Sequence, residues 1–201
     1  LVNYSAAHGS LVIEDDFENE FVYLQKPTPS LFGLAGGQNV VYLGTFSRLL
    51  LPSIRISFMV LPPELSALYR KKADQYNQTA SKAEQIALCQ FIRDGHLAAQ
   101  TRKLKRLYSV KLKALRSAVR EVFGKDSQIQ TGAAGTSLAL TLSTTLTWQE
   151  LQKKAQTNGL RLQLLREAPG KITLILSCSS MPVADFVPAC KLLKNISQIQ
   201  N

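Results

Sequence analysis

From Gly44 to Phe58 the sequence reads "GTFSRLLLPSIRISF", and its polar residues are of types that hold anions. An apolar run, "VVYLG", leads into two hydroxyls, Thr45 and Ser47, with a cation, Arg48, directly after them. A second cation, Arg55, follows seven residues later. Each hydroxyl can donate one hydrogen bond, and a guanidinium donates two in parallel, which matches the oxygens of a phosphate. A strand that empties into such a turn reads as a phosphate cradle. An arginine shortly after a proline is weak evidence alone; with "GTFS" just upstream, Arg55 gains weight.

Such a turn needs a rigid frame, and the surrounding sequence supplies one. "SLVIEDD", "NVVYLGTFS" and "RISFMVLP" are continuous apolar runs, which predict strands buried on both faces, as in an α/β sheet. "QKPTPSLFGLAGGQ" between them is rich in Pro and Gly and predicts a loop. Pro62 and Pro63 open a helix, "ELSALYRKKADQYN". Ser81 and Glu84 form a capping-box pattern before "QIALCQFIRDG", which Gly95 ends. A long helix then runs to Gly124, with Leu104, Tyr108, Leu112, Leu115, Val119 and Val122 on one face. The last third alternates again. "GTSLALTLS", "LRLQLLRE" and "KITLILSCS" predict strands. Thr147 and Glu150 cap "WQELQKKAQTNG", and "PVADFVPACKLLKNI" closes the chain as a helix with Pro188 as a fault or break.

The 201 residues are 45% hydrophobic, enough for one large domain or two small ones. The formal net charge of +10 allows an anionic partner. Much of it sits on the long helix, at Arg102, Lys103, Lys105, Arg106, Lys111, Lys113, Arg116 and Arg120. No base-reading motif accompanies these cations, so they read as a solvated face opposite the core stripe rather than a nucleic-acid surface. Three cysteines without a C-x-x-C motif speak against a disulfide framework and for a reducing cytoplasm. His8 and His96 stand apart with no ligand pattern, so no metal site is expected. No apolar run is long enough to cross a bilayer. The first residues carry no signal peptide and begin abruptly, as a cut piece of a longer chain would.

"VIEDDFENEF", "YLGTFSRLLLPSIRISFMVLPPEL" and "ALCQFIRDGHLAAQTRKLKRLY" together resemble the aminotransferase-like domain of the MocR branch of GntR-type transcription regulators. The resemblance covers nearly the whole chain and is strongest from residue 11 to about 115. It implies the α/β architecture of fold-type I aminotransferases, which depend on pyridoxal phosphate (PLP). Residues 1–70 would be the C-terminal part of the large domain, 71–124 connecting helices, and 125–201 the small α/β domain. The family string is close to I-E-D-D-Y-D-x-E-F, then G-T-F-S-K, then P-x-x-R. On that frame Asp15 matches the carboxylate that keeps the PLP ring nitrogen protonated. Taken alone, Asp15 would be a strand-end carboxylate in a turn. Thr45, Ser47 and Arg55 match the phosphate-binding positions.

Departures from the frame carry the functional reading. Arg48 stands where the family has the lysine that forms a Schiff base. A guanidinium stays protonated and cannot attack an aldehyde. Phe17 stands where a tyrosine hydroxyl would reach the ring oxygen. Relatives carry a carboxylate-gripping arginine in the strand before the last helix; here that strand is "KITLILSCS", and the nearest cation is Lys171 at its edge. The resemblance thus implies no catalytic residue, and PLP held without a covalent bond at best, if at all. It points to a cytoplasmic, homodimeric domain that senses an amino-acid-like or PLP-like effector and meets DNA only through a winged helix-turn-helix upstream. The alternatives are a PLP-dependent aminotransferase and a purely structural dimerisation remnant.

Overall fold

The computed structural model describes residues 1–16, 29–47, 49–124, 127–131, 135–179 and 181–197. The described residues fall into two compact units, one up to Leu104 and one from Lys105 on.

The first unit holds α1 (Val2–Ala7), β1 (Val12–Asp15), α2 (Leu31–Leu34), β2 (Val40–Thr45), β3 (Ser57–Val60), α3 (Pro63–Lys72) and α4 (Lys82–Arg93). It also holds the start of α5 (His96–Phe123). Its sheet has the order β1-β2-β3, with β1 parallel and β3 antiparallel to β2. Only the central strand has buried residues, Val40, Val41 and Gly44. Burial on both faces is not found for the other two. β1 alternates between half-buried and exposed, and all four residues of β3 are exposed. Apolar composition fixes the strands themselves, but burial needs a covering layer, and the described residues offer none over these edges. The loop expected before β2 contains the short α2, which Ser30 caps through its side chain. Gly44 is required by packing: an added Cβ would stand 2.4 Å from Cζ of Phe58. That ring belongs to a series, with Phe46 at 5.3 Å and Tyr42 at 6.2 Å between centroids.

The second unit holds most of α5, then β4 (Gln128–Thr131), β5 (Ser137–Ser143), α6 (Trp148–Thr157), β6 (Gln163–Ala168), β7 (Lys171–Ser177) and α7 (Phe186–Ile196). The four strands form an antiparallel sheet in the order β4-β5-β7-β6. Along β5 every second residue, Leu138, Leu140 and Leu142, is buried, as a half-covered strand requires. They meet Leu112, Leu115 and Val119 of α5, Leu151 of α6, Ile172 and Leu174 of β7, and Phe186, Cys190 and Leu193 of α7 in one core. The capping box at Thr147 and Glu150 forms in both directions. Pro188 does not break α7. It is the third residue of a helix that starts at Phe186, where its missing N–H has no intrahelical partner to lose. A register shift between Leu164 and Arg166 turns Leu165 out to solvent.

Candidate functional site

Because β1 and β2 run parallel, their C-terminal ends lie at the same sheet edge, with Asp15 paired to Leu43. β3 runs the other way, so Arg55, two residues ahead of it, arrives at that edge too. Side chains alternate along a strand, so Asp15, Leu43 and Thr45 share one face. In open α/β sheets the carboxyl ends of parallel strands are where ligands bind.

The acidic run Glu14, Asp15, Asp16 divides its labour. The Glu14 carboxylate accepts the Leu31 N–H at 2.8 Å and the Phe32 N–H at 3.0 Å, holding the start of α2. Asp16 accepts the Tyr42 hydroxyl at 2.6 Å. Asp15 is exposed on the opposite face of β1 from Glu14.

The hydroxyl turn is closed on itself. Ser47 Oγ donates to the Ile54 carbonyl at 2.6 Å, and Thr45 Oγ1 donates to the Ile56 carbonyl over a long 3.5 Å. The Ser47 N–H donates to Thr45 Oγ1 at 3.3 Å. These bonds clasp the two backbone carbonyls that flank Arg55, and leave Arg55 itself exposed. The donor types suit a phosphate, and Asp15 suits a cationic ring nitrogen. In this conformation, however, the O–H of Ser47 is spent on a carbonyl, so holding a phosphate requires a rotation about its side-chain bond. Phe17 and Arg48, the other two expected site residues, lie outside the described residues.

Behind the turn is an apolar cavity of about 350 Å³, lined by Leu50, Leu51, Ile54, Leu88, Phe91 and Gln100. Ile54 thus faces the cavity and also supplies the acceptor for Ser47. The cysteines are free, and two of them are inert by environment. Burial pushes the Cys178 thiol up, and pushes the Cys190 thiol up to about 11 with help from Glu121. Among the described residues no group of His, Cys, Asp and Glu is arranged to hold a metal, and no helix is long and apolar enough to cross a membrane.

One of the cations read as a solvated face of the long helix makes a long-range contact instead. Lys171 opens β7, but the other end of that strand is met by Lys111 of α5, whose Nζ donates to the Ser179 carbonyl at 2.9 Å. Sixty-eight residues separate the pair, so no local pattern signals it.

No protein-family model matches the chain. It is 32% identical over 198 residues to the uncharacterised HTH-type transcriptional regulator YdeL of Bacillus subtilis, covering 96% of this chain and 43% of that protein. It is 30% identical over 165 residues to the probable rhizopine catabolism regulatory protein MocR of Rhizobium meliloti, covering 82% of this chain and 34% of that one. In sequence the chain is thus similar, over most of its length, to regulators of the MocR type. It spans less than half the length of these relatives. Among solved structures it is similar to the α-aminoadipate aminotransferase LysN of Thermus thermophilus, bound there to N-(5'-phosphopyridoxyl)-L-leucine. The TM-score is 0.77 at 23% identity, over 98% of this chain and 52% of that one. The fold is therefore that of fold-type I aminotransferases. Both units fall within the matched length.

Proposed function

We propose that this chain is the effector-sensing and dimerisation domain of a MocR-like transcription regulator, and that it does not catalyse transamination. The observation that carries this reading is position 48. The frame "GTFSR" keeps the phosphate-binding hydroxyls and replaces the nucleophilic lysine of the family by Arg48. Arginine is protonated at all cellular pH values and has no lone pair to offer an aldehyde. The regulators among the relatives support the same reading.

The residues that would hold PLP are Asp15 at the ring nitrogen and Thr45, Ser47 and Arg55 at the phosphate. When bound, PLP supplies an electron sink and an aldehyde. Arg55 is exposed and positioned by the carbonyl clasps on either side of it. Its guanidinium would take two phosphate oxygens at once. Thr45 and Ser47 would trade their carbonyl acceptors for phosphate oxygens, so part of the gain is offset by the two bonds given up. Binding is then non-covalent and weak, and an amino-acid-like or PLP-like effector would be read by occupancy. Pairing of two copies is supported by apolar residues at the sheet edges: Ile13 is 66% and Met59 53% exposed. DNA contact would belong to a winged helix-turn-helix elsewhere in the full regulator, in the cytoplasm.

A purely structural dimerisation role is the second reading, and the closed hydroxyl turn favours it. An absorbance spectrum of the chain with added PLP, followed by a melting scan, separates the readings. Sensing predicts a saturable rise in melting temperature with a free-aldehyde spectrum. Turnover of an amino acid with PLP would overturn the non-enzyme reading, and no response to PLP or amino acids would leave the structural one.

A further inference from the structure

We propose that the cavity between α4 and the loop that runs from Leu50 to Ile54 is a second ligand site of the first unit, built for a small uncharged aromatic molecule that carries one N–H or O–H. Four lining residues, Glu84, Ala87, Leu88 and Phe91, recur at intervals of three and four along α4, so they share one face of that helix. Leu50 and Ile54 line it from the loop and are half-buried.

Both walls are set by bonds within the chain. The Leu50 N–H donates to the Phe46 carbonyl at 3.0 Å, and the Ile54 N–H donates to the Leu51 carbonyl at 3.0 Å. The Ile54 carbonyl in turn accepts the Ser47 hydroxyl at 2.6 Å. On the helix side the Phe91 ring leans on His96, with centroids 5.3 Å apart. A pocket whose walls are already fixed costs less to fill. At about 350 Å³ it lies within the range of small-molecule sites, which begins near roughly 300 Å³. A void of about 150 Å³ already takes benzene, so a two-ring molecule has room here.

The polar groups choose the ligand. Ser81 Oγ accepts the Glu84 N–H at 3.5 Å, but the Glu84 carboxylate returns no bond to Ser81, unlike Glu150 at the same place in α6. The exposed Glu84 carboxylate and the half-buried Gln100 side-chain amide thus have no hydrogen-bond partner among the described residues. Glu84 lies in the first turn of α4, beside the positive end of the helix dipole, which opposes a cation. Its own negative charge opposes an anion. A neutral ring with one donor meets both conditions. Leu50, Ile54, Leu88 and Phe91 take the ring out of water, and the donor faces the carboxylate. The inference does not depend on whether PLP binds at the hydroxyl turn.

The test is a methyl NMR titration of the whole chain with indole, N-methylindole, tryptamine and indole-3-acetate. We expect saturable shifts at Leu50, Ile54 and Leu88 with indole, at least fivefold weaker binding of N-methylindole, and none of indole-3-acetate. Ala87→Phe, which fills the cavity from an exposed helix position, is expected to weaken indole binding at least tenfold. Glu84→Leu is expected to make indole and N-methylindole bind alike. Each variant is checked for folding by its melt. Shifts that never saturate, shifts spread over the exposed residues of β3, or unchanged indole affinity in Ala87→Phe would overturn the site. If Ala87→Phe does not fold, Glu84→Leu decides, and an unchanged preference for indole there rejects the site. Tighter binding of tryptamine or indole-3-acetate than of indole would reject the neutral assignment.

Discussion

Ser47 Oγ donates to the carbonyl of Ile54 at 2.6 Å, so the hydroxyl expected to hold a phosphate instead fastens the loop that carries Arg55. Ser47 therefore has a structural duty that exists without any ligand. Ser47→Ala is expected to lower stability by about 1 kcal/mol, the ordinary worth of a partly buried hydrogen bond. Denaturant midpoints measure this. If the same variant also weakens PLP binding, both roles are real; an unchanged midpoint would mean that the bond contributes nothing to the fold.

Gly44 is held to glycine by a neighbour rather than by its backbone. A methyl group there meets the Phe58 ring, which in turn touches Phe46 and Tyr42. Phe58 is 38% exposed, so its ring can swing away, at the loss of those aromatic contacts. Gly44→Ala is expected to cost about 1–2 kcal/mol. Adding Phe58→Leu should make the two changes less than additive. Strict additivity in a double-mutant cycle would reject the contact as the cause.

The Cys190 thiol, raised by burial from 9.0 to about 11, makes stability depend on alkaline pH. In the unfolded chain it ionises near its ordinary value; in the folded one it keeps its proton. Stability from this group is complete below pH 9 and is lost as pH rises through 11, because the unfolded state gives up the proton first. The loss is on the order of 1–2 kcal/mol after relaxation around the thiol. Unfolding curves at pH 8 and pH 11 are expected to fall further for the wild type than for Cys190→Val. Parallel losses in both proteins would discard the assignment.

What the sequence made legible follows from how local each signal was. The helix limits at Gly95, Gly124 and Gly159 were readable because a positive φ singles out glycine. The capping box at Thr147 and Glu150 was readable because its two partners lie within one turn. The strands were readable from composition, but the exposure of β3 was not, because burial depends on what packs against a strand. Asp15, Thr45, Ser47 and Arg55 were legible as a frame. That Ser47 would spend its proton on Ile54 was not, since nothing in "GTFS" encodes the direction of an O–H. The contact of Lys111 was invisible for a stronger reason: its partner is a backbone carbonyl far along the chain, and any residue type supplies one.

Arg48→Lys tests the functional reading most directly. In the wild type, position 48 offers a guanidinium, which cannot form a covalent bond with the PLP aldehyde. The wild type with PLP is expected to keep the free-aldehyde spectrum and to gain no mass after borohydride reduction. An introduced lysine restores the nucleophile, provided that it can lose its proton, which a neighbouring cation or a desolvating pocket promotes. The variant is then expected to turn yellow with PLP and to carry a borohydride-stable adduct at position 48 in a peptide map. Asp15→Ala in the same background removes the ring-nitrogen carboxylate; its lost charged hydrogen bond should weaken PLP binding by about 1–3 kcal/mol, some 5- to 150-fold. A variant that stays colourless and unmodified would mean that these residues do not assemble a PLP site in this chain, and the sensing role would give way to the structural one. A wild type that forms a reducible adduct at its active turn and exchanges amino groups between an amino acid and a keto acid would instead make the chain an enzyme.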